Sequence, residues 1–344
     1  MKELLCSTVL MGLALSAAAH DDALTGKPHD GAAVTHAVRT GSGIEMYESV
    51  PNWCQLPPGQ TEIGNTHGAI VVDRAGNIYI NSDTKRSIMV YTPDGQFVRS
   101  FGEDFVAIHG MALRQEDGEE FIYAAHLGGA QAVKFKLDGT VVWTIGWPQE
   151  SGLYKDKNEY KPTAIAVAPN GDVFVSDGYG KSLIHQYSVD RKYIRSFGGK
   201  GTEPGKFQTS HGMALDTRGP QPLLLICDRE NRRLQHFDLD GNFVAVTTTG
   251  LRRPCSISIR GDKVAVAELE GRVTILDKNN HPIAFLGDNP VKAQWANNPV
   301  PPTDWLDGIF TAPHGVSYDA AGNLYVMDWN KSGRISRLNR VYPE

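Results

Sequence analysis

The sequence has no run of basic residues and little net charge. Its 34 Lys and Arg stand against 39 Asp and Glu, a formal net charge of −5. That balance leaves no electrostatic footprint for nucleic acid, so no nucleic-acid partner is expected. Long apolar runs are also missing. One short run, residues 9–15, follows Lys2 and precedes Ser16-Ala17-Ala18-Ala19. This is the order of a secretory signal peptide with a small-residue cleavage site. Cleavage is expected near Ala19, giving a secreted or periplasmic mature chain. No later segment approaches the roughly 20 apolar residues of a membrane span, so none is expected.

Cysteine is scarce. Cys6 lies in the signal segment, and Cys54, Cys227 and Cys255 remain. Three cysteines allow at most one bridge and leave one free thiol. No C-x-x-C pair occurs, so they are read as isolated small hydrophobes in strands rather than as a metal cluster.

What the sequence does have is repetition. A short phrase recurs at His67-Gly68, His109-Gly110, His211-Gly212 and His314-Gly315. It recurs without histidine at Thr163-Ala164 and Cys255-Ser256. The first residues of these six copies are spaced by 42, 54, 48, 44 and 59 residues. The third copy shows the unit: a strand at 163–167, an Asn170-Gly171 turn, then strands at 173–176, 183–187 and 193–198. Four short strands repeated at such a period are the pattern of a propeller blade. The expected fold is all-β, a six-bladed β-propeller. Its expected organisation is a signal peptide at 1–19, a flexible N-terminal segment at 20–42 and the propeller at 43–344. Residues 43–50 are expected to complete the last blade and close the ring. The long intervals place extra loops near 148–160 and 287–310. These carry Tyr154, Tyr160, Trp295 and Trp305, and either bind something or cover blade edges.

In a propeller the first strand of each blade lines the central channel. The phrase positions therefore ring one mouth, with the ends of the second strands (Asp83, His126, Asp177, Asp228, Glu268, Asp328) forming a wider ring outside them. His109, His211 and His314 come from alternate blades and can converge on the axis. Three histidines with an open position suit a catalytic zinc, with iron or copper as alternatives. His67 is an additional candidate ligand. A carboxylate of the outer ring can orient the second imidazole nitrogen. The alternative is that each histidine only caps its own strand. Asp177 and Asp228 are read as turn devices that bond backbone amides. Tyr179 and Arg229 follow them and are not required by the turn. They are candidates for a base and a carboxylate-binding group, or else solvated loop side chains.

The repeat resembles the NHL propeller unit. Tyr160-Lys161-Pro162-Thr163, Asp177-Gly178-Tyr179, Ser210-His211-Gly212 and Asp228-Arg229-Glu230-Asn231 come in the order seen in peptidyl-α-hydroxyglycine α-amidating lyases. Ile108-His109-Gly110 and Pro313-His314-Gly315 are similar to that family's other histidine segments. The resemblance covers roughly residues 52–338. It implies a zinc lyase with ligands His109, His211 and His314, a base at Tyr179 and a carboxylate-binding Arg229. The substrate is expected to be a peptide or small molecule at the channel mouth, and the chain a monomer. Three positions depart from the family pattern. Asp83 stands about where a second arginine is found, Gly180 replaces a cysteine, and Gly315 replaces an aspartate that helps hold a structural calcium. The alternative function is a non-catalytic NHL propeller that binds protein or carbohydrate.

Overall fold

A computed structural model describes residues 36–342. The expected signal peptide, and residues 20–35 of the N-terminal segment, lie outside these. The described chain forms six antiparallel sheets, five of four strands and one of five. Blade three reproduces the expected unit, with Ala164–Val167, Val173–Asp177, Leu183–Tyr187 and Tyr193–Gly198 paired in sequence order. The first turn uses Gly171 at φ +90°, a conformation that costs little only for glycine. Second strands such as Val173–Asp177 are buried throughout. Each sheet is covered on both faces by its neighbours, so these strands are continuous apolar runs without alternation. Outer strands such as Phe243–Thr247 are exposed along most of their length.

The six inner strands are Ile70–Val72, Ile108–Glu116, Ala164–Val167, Ser210–Asp216, Pro254–Arg260 and Pro313–Tyr318. Each touches the next, and the last touches the first. They enclose a central channel of about 550 Å³. Closure comes from Glu45–Ser49, which pairs antiparallel with Arg334–Val341 and supplies the fourth strand of blade six, as expected. Tyr47, with no exposed surface, packs there among residues of blades five and six. Burying such a side chain contributes on the order of 2 kcal/mol to closure. Arg39–Ser42 differs from expectation. Placed in the flexible segment by a boundary at 42, it is a fifth strand paired to Glu45–Ser49. Its composition does not mark a strand; the open edge of Glu45–Ser49 recruits it.

The aromatics of the two long loops cover blade ends. Tyr154 and Tyr160 are buried, and Trp295 and Trp305 donate their indole N–H to Asn289 O and Val300 O. Cys54, Cys227 and Cys255 are all free. Among the described residues no helix is long and apolar enough to cross a membrane.

One buried group under the first loop is expected to make the fold pH-sensitive. His185 bonds Tyr154 Oη through Nε2 at 2.8 Å and Ser196 Oγ through Nδ1 at 2.7 Å. Burial lowers its pKa to about 3. An unfolded histidine titrates near ~6.5, so between these values the unfolded state holds the extra proton. Stability is therefore full above about pH 6.5 and falls as pH drops toward 3, by up to ~1.4 kcal/mol per unit. Denaturant titrations at pH 7.5, 6, 5 and 4 should show this slope. The channel histidines act in the same direction, so the share of His185 is the difference from His185→Gln. Equal slopes in the two proteins would refute the assignment.

Candidate functional site

The His-Gly phrase has a packing reason. A Cβ on Gly110 would lie 2.5 Å from Thr163 O, one on Gly212 2.3 Å from Cys255 O, and one on Gly315 2.5 Å from Gly68 O. Glycine after the histidine lets neighbouring inner strands approach backbone to backbone. It also leaves no room at Gly315 for a side chain in this packing.

The same contacts correct the register of blade one. Gly68 O occupies the place that Thr163 O and Cys255 O occupy in blades three and five. The strand pairing agrees. Ala69 meets Asn81 in blade one as Ala164 meets Ser176 in blade three. The inner ring is therefore Gly68, His109, Thr163, His211, Cys255 and His314, and the outer ring begins at Ser82. His67 and Asp83 each stand one residue beyond the positions first assigned to them. A Cβ on Gly68 would lie 2.2 Å from His314 Nδ1, so glycine at this slot makes room for the His314 ring.

His109, His211 and His314 do converge. Their ring centroids are 4.7, 5.1 and 4.5 Å apart for the pairs 109–211, 109–314 and 211–314. All three are almost fully buried. Burial lowers each pKa well below the ordinary value, helped by His67 at His109, by Arg229 at His211 and by His211 at His314. They are neutral at pH 7, the form in which imidazole binds a metal.

In His109 and His211 the second nitrogen is oriented by backbone rather than by a carboxylate. His109 Nδ1 is 2.7 Å from Thr163 O and His211 Nδ1 is 2.8 Å from Cys255 O. The two positions that break the histidine pattern thus supply the acceptors. The outer carboxylates are occupied locally. Asp177 accepts from Lys161 N, Lys181 N and Tyr154 Oη. Asp228 accepts from Gln208 N, Asn231, Arg233 and Gln235. Both are the turn devices expected. His126 bonds Val106 O and Gln131 and belongs to its own turn.

Tyr179 and Arg229 are not free loop side chains. Tyr179 Oη lies 3.1 Å from His109 Nε2 and 2.9 Å from His211 Nε2. Arg229 Nη1 donates to the same oxygen at 3.1 Å, and its guanidinium sits over the Tyr179 ring. Glu230 anchors Arg229 through Nε at 2.9 Å and also holds Arg253. Burial pushes the Tyr179 pKa up to about 12, against the pull of Arg229. Cys255 Sγ, His211 and His314 can each offer a ligand atom within 4.8 Å of the others. Burial holds the Cys255 thiol protonated, with a pKa near about 11.

The proton count in this cluster fits a cation. A carbonyl only accepts, so Nδ1 carries the hydrogen in His109 and His211, and both Nε2 lone pairs face Tyr179 Oη. The phenol has one proton to give, and Arg229 already donates to its oxygen. One imidazole lone pair is left against an oxygen with nothing to share. Among the described residues His314 Nδ1 is buried with no hydrogen-bond partner. A divalent ion beside these rings would take such lone pairs; the sets whose ligand atoms lie within 4.8 Å of one another among the described residues are His67–His109–His314 and His211–Cys255–His314, which share His314.

Register would have revealed what residue type alone did not. Arg229 is the residue after the second-strand aspartate Asp228. The same slot holds Asp83 in blade one and Trp329 in blade six, and both face the cluster through His67. Asp83 Oδ2 is 3.3 Å from His67 Nδ1, and Trp329 stacks on the His67 ring with centroids 6.2 Å apart.

No protein-family model matches the chain. It is 28% identical to human (Homo sapiens) NHL repeat-containing protein 3 over 215 residues, covering 60% of each protein. It is 27% identical to peptidyl-alpha-hydroxyglycine alpha-amidating lyase 1 of Drosophila melanogaster over 265 residues, 59% of this chain and 47% of that one. The chain thus spans between about half and three fifths of these relatives' lengths. Among solved structures, a gluconolactonase from Xanthomonas campestris superposes with a TM-score of 0.59 at 14% identity, covering 93% of this chain and 98% of that one. That likeness establishes the propeller fold alone. By sequence, the chain is similar to NHL-repeat propellers and to peptidyl-hydroxyglycine lyases.

Proposed function

We propose that the chain is a metal-dependent lyase that cleaves the C–N bond of an N-acyl α-hydroxyglycine, releasing an amide and glyoxylate. The observation that carries this reading is the convergence of His109, His211 and His314, with Tyr179 Oη bonded to the first two and to Arg229. The similarity to the Drosophila lyase supports the reaction class. The three histidines would hold a divalent ion, zinc first, with iron or copper as alternatives. Bound there, the ion would supply Lewis acidity, lowering the pKa of a substrate hydroxyl and of the adjacent phenol.

The protein's own groups have separate tasks. Tyr179 Oη takes the hydroxyl proton. As the carbonyl of glyoxylate forms, the C–N bond breaks and the amide nitrogen gains a proton, which balances the reaction. A phenol held near about 12 is protonated at neutral pH, so Tyr179 becomes a base only with positive charge beside it. Arg229 already acts in that direction. It donates from Nη1 and Nε to Tyr179 and Glu230, and a guanidinium carries five donors, enough to hold a substrate carboxylate as well. The secreted or periplasmic location expected from residues 1–19 belongs to the same proposal.

The test uses mature protein, its chelator-stripped form and a synthetic N-acyl α-hydroxyglycine. Glyoxylate should appear in step with the amide, stop on stripping and return when zinc is restored. A protein that carries no metal and releases no glyoxylate above the uncatalysed rate would overturn this reading in favour of a binding propeller.

A further inference from the structure

The register shift in blade one leaves an imidazole at the mouth that the repeat does not explain. His67 stands outside the inner ring, since Gly68 fills that slot, so it is not a strand cap copied from blade to blade. Its ring lies 4.8 Å from His109 and 5.3 Å from His314, centroid to centroid. His67, His109 and His314 can each offer one ligand atom such that all three lie within 4.8 Å of one another. Unlike the three ring histidines, it is partly open to the mouth, with 21% of its side chain exposed.

Its orientation is built. Asp83 Oδ2 faces His67 Nδ1 at 3.3 Å. The same oxygen accepts from Asn65 Nδ2 at 2.6 Å, and Asp83 N donates to Asn65 O at 2.8 Å. Asn298, from the long loop before blade six, donates to Asn65 Oδ1 at 2.9 Å. Trp329 covers one face of the ring. A carboxylate charge beside Nδ1 favours the hydrogen there and the lone pair on Nε2, the arrangement of carboxylate–histidine–metal groups. His109 and His211 use backbone carbonyls for this purpose. His67 instead has the Asp83 carboxylate beside its Nδ1.

We infer that His67, held by Asp83, is a fourth imidazole arm of the metal centre, added to His109, His211 and His314 on the blade-one side of the mouth. The inference rests on the metal reading given above and extends it. A tetrahedral zinc with four imidazoles is closed to substrate. Substrate would then enter as a fifth ligand, a number that catalytic zinc can reach and that iron or copper also accept.

Metal binding by the chelator-stripped protein separates this from the parent reading. Cobalt(II) serves as the probe, with affinity read by chelator competition and geometry by visible absorption. His67→Ala should weaken cobalt binding at least tenfold and change the absorption band. Asp83→Asn should weaken it by a smaller factor in the same direction, since loss of such outer partners costs about 10–100-fold in affinity. Near-ultraviolet circular dichroism of the stripped proteins should match wild type. Unchanged affinity and spectrum in both variants, with wild-type binding intact, would overturn the fourth arm and leave the three-histidine site standing. No cobalt binding by the wild type would instead overturn the metal reading itself.

Discussion

Replacing His211 with alanine is expected to lower metal affinity by about 100-fold or more and to cut glyoxylate release by roughly 1,000-fold. Loss of a Lewis acid worth several kcal/mol corresponds to a factor of that size. The His211 ring touches both neighbours in the cluster and receives Tyr179 Oη at 2.9 Å. Its removal takes away a ligand and a contact of the proposed base together. It also leaves Cys255 O without its imidazole partner, a stability cost of about 1–3 kcal/mol. The control is His126→Ala. His126 bonds a backbone carbonyl in its own blade but stands outside the cluster. If the channel histidines were only strand caps, both variants would lose similar stability and neither would change metal content. Metal analysis of the two variants beside wild type, with thermal melts, decides between these outcomes.

Tyr179→Phe should lower kcat by ~100- to 10,000-fold, the range for a positioned proton-transfer group, while metal content stays at the wild-type level and KM changes little. Phenylalanine keeps the ring beneath the Arg229 guanidinium, so the packing that positions Arg229 survives. What is lost is the one oxygen that contacts His109, His211 and Arg229 together. A variant that kept most of its turnover would make Tyr179 a packing residue and would require another base. Steady-state kinetics and metal analysis on the same preparation suffice for this test.

The blades were legible because each is a local object. Gly171, the apolar strand Val173–Asp177 and the next two strands lie within one stretch of chain, and hairpins of this kind are encoded by neighbours in sequence. The alternation of histidine-bearing and histidine-free copies was legible for the same reason. It singles out His109, His211 and His314, whose ring centroids lie 4.5 to 5.1 Å apart. Asp177 and Asp228 were read as turn residues, and their bonds to nearby amides and side chains bear that out.

What lay beyond the letters was set by partners far along the chain. His67-Gly68 and His109-Gly110 are spelled alike, yet Gly68 and His109 share the equivalent slot, because register follows the pairing of Ala69 with Asn81 and not the phrase. The acceptors for the imidazoles, Thr163 O and Cys255 O, are 54 and 44 residues from His109 and His211 and reside in backbone, which carries no residue signature. The fifth strand at Arg39–Ser42 exists only because closing the ring leaves an edge beside it. By itself, then, the sequence determined the repeat, the blade and the histidines that converge, since these depend on local pairing and period. Only the tertiary structure decided the register of blade one, the orientation of each imidazole and the joining of Tyr179 to Arg229. Those depend on how closely six inner strands approach one another around a closed ring.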